Sequence, residues 1–178
     1  MRTHKTLLAA LTAAAVLVVG CGGGDKEKTT SAATPAKRAA PSAATLADLR
    51  ALENSVGHDI FWAGRKRGYT YELTKTTQGS IYIRYLPPGV PVGAGSADFL
   101  TVGTYPQRDA FATVQTAQKR PGETITKIGG GGVAVAGKDR PTSVYFSYPA
   151  SKLLVEVYDP SATQAHRLVV SGKVKPLR

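Results

Sequence analysis

The chain has 178 residues, with 23 Lys and Arg against 12 Asp and Glu, a formal net charge of +11 and a pI of about 9.9. Its single cysteine, Cys21, excludes an intramolecular disulfide, so a folded domain here relies on an ordinary apolar core. The length suits one domain of ordinary size, and the positive balance directs attention to anionic partners such as membrane surfaces, acidic polymers or nucleic acid.

The N-terminus carries Arg2, His4 and Lys5, followed at 6–19 by 14 residues made almost wholly of Leu, Val and Ala. A helix needs roughly 20 apolar residues to span a bilayer, so this run is short for a span and of the right length for a signal-peptide core. It closes on Val18-Val19-Gly20-Cys21. That tetrapeptide resembles the lipobox of bacterial lipoprotein precursors. The resemblance implies that residues 1–20 are a signal peptide, that the Cys21 thiol accepts a diacylglyceryl group, and that a peptidase cuts between Gly20 and Cys21. Two or three acyl chains, palmitate or similar, hold a protein stably on a membrane where one chain binds only marginally. The expected place is the cell envelope: lipid-anchored to the cell membrane, facing the extracytoplasmic side. Without Arg2 and Lys5 the mature chain keeps 21 cationic side chains against 12 acids, a balance of +9.

Residues 21–44 comprise the lipidated cysteine and a Gly, Ala, Ser, Thr, Pro and Lys stretch without apolar periodicity. Such a composition buries too little to order itself and reads as a tether, with a reach on the order of 25 Å. Residues 45–178 then form a single domain. Its elements in chain order are a helix at 46–56, strands at 69–75, 80–87 and 99–106, a helix from 107 to 119, strands at 132–137, 143–149 and 153–160, and a helix at 161–171. Ser80-Ile81-Tyr82-Ile83-Arg84-Tyr85-Leu86-Pro87 is echoed by Ser143-Val144-Tyr145-Phe146-Ser147-Tyr148-Pro149, and in each case a strand ending before proline and then a helix follow. The pattern reads as α-βββ-α-βββ-α, an internal duplication. The fold class is α+β: a mostly antiparallel sheet with helices on one face.

Strand alternation divides the sheet. Tyr69, Tyr71 and Leu73; Ile81, Ile83 and Tyr85; Val144, Phe146 and Tyr148; and Leu153, Val155 and Val157 share the core side. Thr70, Glu72 and Thr74, Tyr82 and Arg84, Tyr145, and Glu156 with Tyr158 fall on a wet face.

Chemistry-bearing motifs are few. Residues 132–139 nearly spell a phosphate-binding loop, but Asp139 stands where a magnesium-ligating hydroxyl belongs, and the alternating Val-Ala-Val-Ala reads as strand. His58 beside Asp59, and His166 in a helix, lack the spacing of a triad or a zinc site. No catalytic residue, metal or cofactor is therefore expected. Two surfaces remain. Arg65-Lys66-Arg67, flanked by Trp62, is either an amphipathic patch for anionic lipid or cell-wall polymer, or a solvated turn with Trp62 in the core. On the wet face, Tyr82, Arg84, Tyr145 and Glu156 are either a binding platform for peptides or glycans, or ordinary strand residues chosen for propensity. Nucleic acid is a poor partner for a domain held outside the cytoplasm without an RNA-binding aromatic motif.

Three phrases, Ile81-Tyr82-Ile83-Arg84-Tyr85-Leu86-Pro87-Pro88-Gly89, Phe99-Leu100-Thr101-Val102-Gly103-Thr104-Tyr105 and Val155-Glu156-Val157-Tyr158-Asp159-Pro160, resemble small lipoproteins of high-GC, actinobacterial-type genomes. That group lends no catalytic or binding residue. The expectation is a non-enzymatic, membrane-anchored binding or envelope-interaction module; the alternative is an extracytoplasmic hydrolase whose active site the sequence does not display.

Overall fold

The computed structural model describes residues 38–178; the lipobox with Cys21, and most of the expected tether, lie outside the described residues. Thirteen elements follow in chain order: β1 (Ser42–Ala44), α1 (Leu46–Val56), β2 (Phe61–Trp62), β3 (Thr70–Lys75), β4 (Ile81–Leu86), β5 (Thr101–Pro106), α2 (Ala110–Ala117), β6 (Glu123–Lys127), β7 (Val133–Gly137), β8 (Arg140–Ser147), β9 (Leu153–Tyr158), α3 (Ala162–Val170) and β10 (Lys175–Pro176). Eight strands make one antiparallel sheet in the order β1-β3-β4-β5-β9-β8-β7-β6, and β2 pairs with β10 in a separate ribbon. The α+β class with a mostly antiparallel sheet is thus as the strand patterns require. Ser42–Ala44, which the sequence places in the tether, instead join the sheet edge against Tyr71, Glu72 and Leu73, and Arg38 bridges to Thr76 beyond them.

Helix α1 forms where its signals lie. Thr45 and Asp48 make a reciprocal capping box, and Gly57 closes the C-terminus in the left-handed conformation (φ 70°). Its Leu49 is fully buried. Leu49 joins Ala165, Leu168 and Val169 of α3 and the β2–β10 ribbon over the face built from Ile81, Ile83, Tyr85, Val102, Val155, Val157, Val144 and Phe146. The register puts these side chains in cross-sheet rows: Ile83, Val102, Val157 and Val144 in one, and Ile81, Thr104, Val155 and Phe146 in the next.

Strand β2 and the residues that follow it lie across this face, with the Phe61 and Ala63 amides sealed from water. Hydroxyls rising from the sheet take them. Phe61 N–H donates to Thr104 Oγ1 (3.0 Å), Ala63 N–H to the Tyr85 hydroxyl (2.7 Å) and Lys66 N–H to the Tyr71 hydroxyl (3.0 Å). Burial pushes the Tyr85 phenol well above the ordinary tyrosine range. Trp62 is 8% exposed and meets Tyr71 edge-on, so it belongs to the core and not to a displayed patch.

Helix α2 departs from the expected arrangement. Ala110 and Val114 are buried, yet they stand apart from the main core cluster. Val114 lines a cavity with Val135, Tyr145 and Leu154, which alternate with the core-face residues of β7, β8 and β9. The helices therefore do not share one face: α2 covers the second face over β7–β9, because Val135 and Leu154 give that part of it an apolar surface.

Replacing Tyr85 with Phe leaves the Ala63 amide without its partner in a dry site. The expected cost is about 1–3 kcal/mol, read from urea unfolding midpoints, with far-ultraviolet circular dichroism unchanged.

Candidate functional site

The rest of the second face is partly roofed by the loop between β4 and β5. Glu72 anchors it. This side chain, expected in solvent, is 1% exposed. Its carboxylate pairs with the Arg84 guanidinium (2.6 Å) and accepts the Gly93 N–H (2.6 Å). Arg84 also donates to the carbonyls of Ala94 (3.0 Å) and Ser96 (2.6 Å), and its guanidinium lies over the Phe99 ring. Arg84 thereby holds the loop, and its side chain also lines the cleft beside it.

Between this loop and α2 an open strip of the face remains, with a cleft of about 360 Å³. Tyr82 (β4), Gly103 (β5), Glu156 and Tyr158 (β9) form its floor, and the backbone from Ala94 to Ala97 forms one wall. Arg38, from the segment before β1, sits over the Tyr82 ring with its guanidinium carbon 5.6 Å from the centroid.

At the centre Glu156 accepts one hydroxyl on each carboxylate oxygen: Tyr105 on Oε2 and Tyr145 on Oε1 (2.7 Å for the latter). The register explains how. Gly103 lies opposite Glu156 on one side and Tyr82 on the other. A Cβ at Gly103 would stand 2.8 Å from the Tyr105 hydroxyl, so glycine leaves the space in which the Tyr105 ring folds back across the sheet. Tyr82 packs edge-on against that ring (5.5 Å, 86°). Burial, and then the Glu156 charge that it faces, hold the Tyr105 phenol well above its usual range. Burial and donation to Glu156 push Tyr145 up to about 12.

The sequence reading named Tyr82, Arg84, Tyr145 and Glu156, and the structure places all four on this face. It missed Arg38 and Tyr105. Arg38 lies in a stretch whose composition reads as tether. Tyr105 carries no signal of its own beyond the neighbouring glycine two positions earlier. The basic run stands apart: Arg65, Lys66 and Arg67 are exposed in the turn between β2 and β3, with the Lys66 ammonium 3.9 Å above the Tyr69 ring. Trp62 does not join it, since pairing of β2 with β10 directs Trp62 into the core. Of the two histidines among the described residues, His58 Nδ1 lies 2.9 Å from the Asp59 carbonyl oxygen and His166 Nε2 lies 3.0 Å from Thr126 Oγ1. Neither lines the clefts on the second face.

Comparison of the chain with protein-family models, with curated proteins and with solved structures finds no match.

The Tyr145 phenol gives a pH test. Its proton is held more tightly in the folded chain than in the unfolded one, where tyrosine titrates near 10.0. Its contribution to stability is therefore complete below about pH 10 and fades as pH rises towards about 12. The difference in phenolate absorbance between wild type and Tyr145→Phe is expected to have its midpoint near 12, and the variant to lose less stability over that alkaline interval.

Proposed function

We propose that this chain is a lipid-anchored, extracytoplasmic binding module whose site is the tyrosine-lined cleft on the second sheet face, and that its ligand is a polymer of the cell wall. The observation that carries the binding part is the open cleft floored by Tyr82, Tyr158 and Glu156, with the Tyr105 and Tyr145 hydroxyls holding the Glu156 carboxylate in place. The Tyr82 and Tyr158 rings offer flat surfaces for sugar rings, with Tyr82 held by its edge-on contact with Tyr105, while Glu156 and Arg38 supply an acceptor and donors beside them. Arg65, Lys66 and Arg67 add attraction for anionic lipid or acidic polymer, about 1 kcal/mol per cation close to a charged surface.

The anchoring part rests on the residues before the domain, Val18-Val19-Gly20-Cys21 after a short apolar run. Cys21→Ser is expected to move the protein from membrane to soluble fractions and to abolish incorporation of labelled palmitate. Retained label on that variant would contradict the lipobox reading.

The duplication expected from the repeated phrases is part of the same proposal. In its support, β3-β4-β5 run from one side to the centre of the sheet and β7-β8-β9 from the other, meeting at the β5–β9 pair.

Binding is tested with purified cell-wall polymer in a sedimentation assay on the full chain in nonionic detergent. Tyr82→Ala is expected to weaken capture by up to about tenfold, the worth of one stacked ring. Alanine at Arg65, Lys66 and Arg67 together is expected to flatten the salt dependence while leaving high-salt binding in place. Capture unchanged by Tyr82→Ala would remove the cleft from the proposal.

A further inference from the structure

A second cavity, of about 460 Å³, opens on the same sheet face beneath α2. Its volume is in the range of small-molecule sites. Tyr145 lines it from one side while donating to Glu156 of the tyrosine cleft, so one hydrogen-bonded pair divides the two spaces.

The cavity exists because α2 is short. The helix ends at Ala117, and the chain turns away through Arg120 and Gly122 before β6 begins. Val114 and Ala117 of α2 face Val135 and Leu154 of the sheet, and the small Ala117 leaves the space between them unfilled. Two turns frame the mouth, the one after α2 and the one joining β7 to β8. The Lys138 N–H ties them together by donating to the Gly122 carbonyl (2.8 Å), and the Lys138 side chain packs closely where Gly122 has no Cβ. The frame is thus held by the protein itself.

Arg120, Lys138 and Arg140 stand on this rim and are exposed. Glu123 and Asp139 line it too, but among the described residues the ion pairs are Glu72–Arg84 and Asp59–Arg178, so the three rim cations have no carboxylate within bridging distance. Lys138 is the lysine of the near phosphate-loop motif. The preceding Val133–Gly137 is strand β7, with its amides in the sheet, so that motif contributes a cation and no phosphate cradle. An apolar floor beside a rim of three cations and two carboxylates, positive on balance, is complementary to a small anionic molecule with an apolar chain.

We propose that this cavity binds a small anionic amphiphile, its apolar chain against Val114, Val135 and Leu154 and its anionic head among Arg120, Lys138 and Arg140. The site is independent of the cleft assigned to cell-wall polymer.

The test uses the full chain in phosphatidylcholine nanodiscs, with Val and Leu methyl groups labelled for NMR and hexyl phosphate as the probe at low ionic strength. The methyl signals of Val114, Val135 and Leu154 are expected to shift saturably, and those of the core residues Val144 and Val157 to stay in place. Arg120→Ala with Lys138→Ala is expected to weaken binding by at least about tenfold, since a hydrogen bond to a charged group is worth that much. Ala117→Leu, which fills the floor and leaves the cations, is expected to abolish the shifts while the Val144 and Val157 signals confirm the fold. Inorganic phosphate alone is expected to leave the floor methyls unmoved. Equal shifts with inorganic phosphate would overturn the proposal, as would shifts indifferent to both variants (partition of the probe into the bilayer) or no shift at all.

Discussion

The pairing of β5 with β9 is the constraint on which the rest of the molecule depends. It joins segments about 50 residues apart, so its closure entropy is offset only by what the pairing then buries on both faces. On the core face it brings Val102 against Val157 and Thr104 against Val155, in the middle of the apolar rows. On the other it brings Gly103 against Glu156, which is the geometry that lets Tyr105 reach that carboxylate. A slip by one residue would exchange the faces: valines would meet solvent and Glu156 would enter the core. Core and cleft are consequences of a single register.

The Glu72–Arg84 pair shows how the second face acquires its relief. Burial of a carboxylate is expensive, and here it is compensated by a direct guanidinium contact and a backbone amide from Gly93. The guanidinium in turn holds two loop carbonyls, so the charged pair converts a proline- and glycine-rich connection into a wall. Removal of Arg84 would strand the Glu72 carboxylate in a dry site. Helix α2 covers the opposite half with apolar contacts through Ala110 and Val114. The strip left open between these two covers is where polar and aromatic side chains remain accessible.

The same economy of small residues recurs at the edges of that strip. Gly103 makes room for a ring, Ala117 leaves room beneath a helix, and Gly122 lets the Lys138 turn approach. Placed in α2 or in the strands, bulkier side chains would have closed these spaces and left a sheet with two ordinary packed faces. The polar centre, two phenols on one carboxylate, tolerates its partial burial because both hydroxyl donors are satisfied.

Period-2 alternation made the core legible from the chain alone: Ile81, Ile83 and Tyr85, and Val144 and Phe146, are buried as their spacing requires. Helix α1 was equally readable, because its capping residues and terminal glycine act locally. Tyr82, Tyr145 and Glu156 could be assigned to one face by the same alternation. What alternation cannot express is cover. Glu72 and Tyr82 have the same parity, yet one is sealed under a loop and the other floors a cleft. Nor could it place α2, whose apolar stripe fits either face until Val135 and Leu154 are known to lie beneath it. The short strands β1, β2 and β10 are too brief for a periodic signal and form only because longer neighbours or a buried ribbon partner offer them bonds. The sequence by itself determined which side chains share a face, since that depends on spacing along one strand. The tertiary structure decided which of them meet solvent, since that depends on segments distant in the chain coming to rest above them.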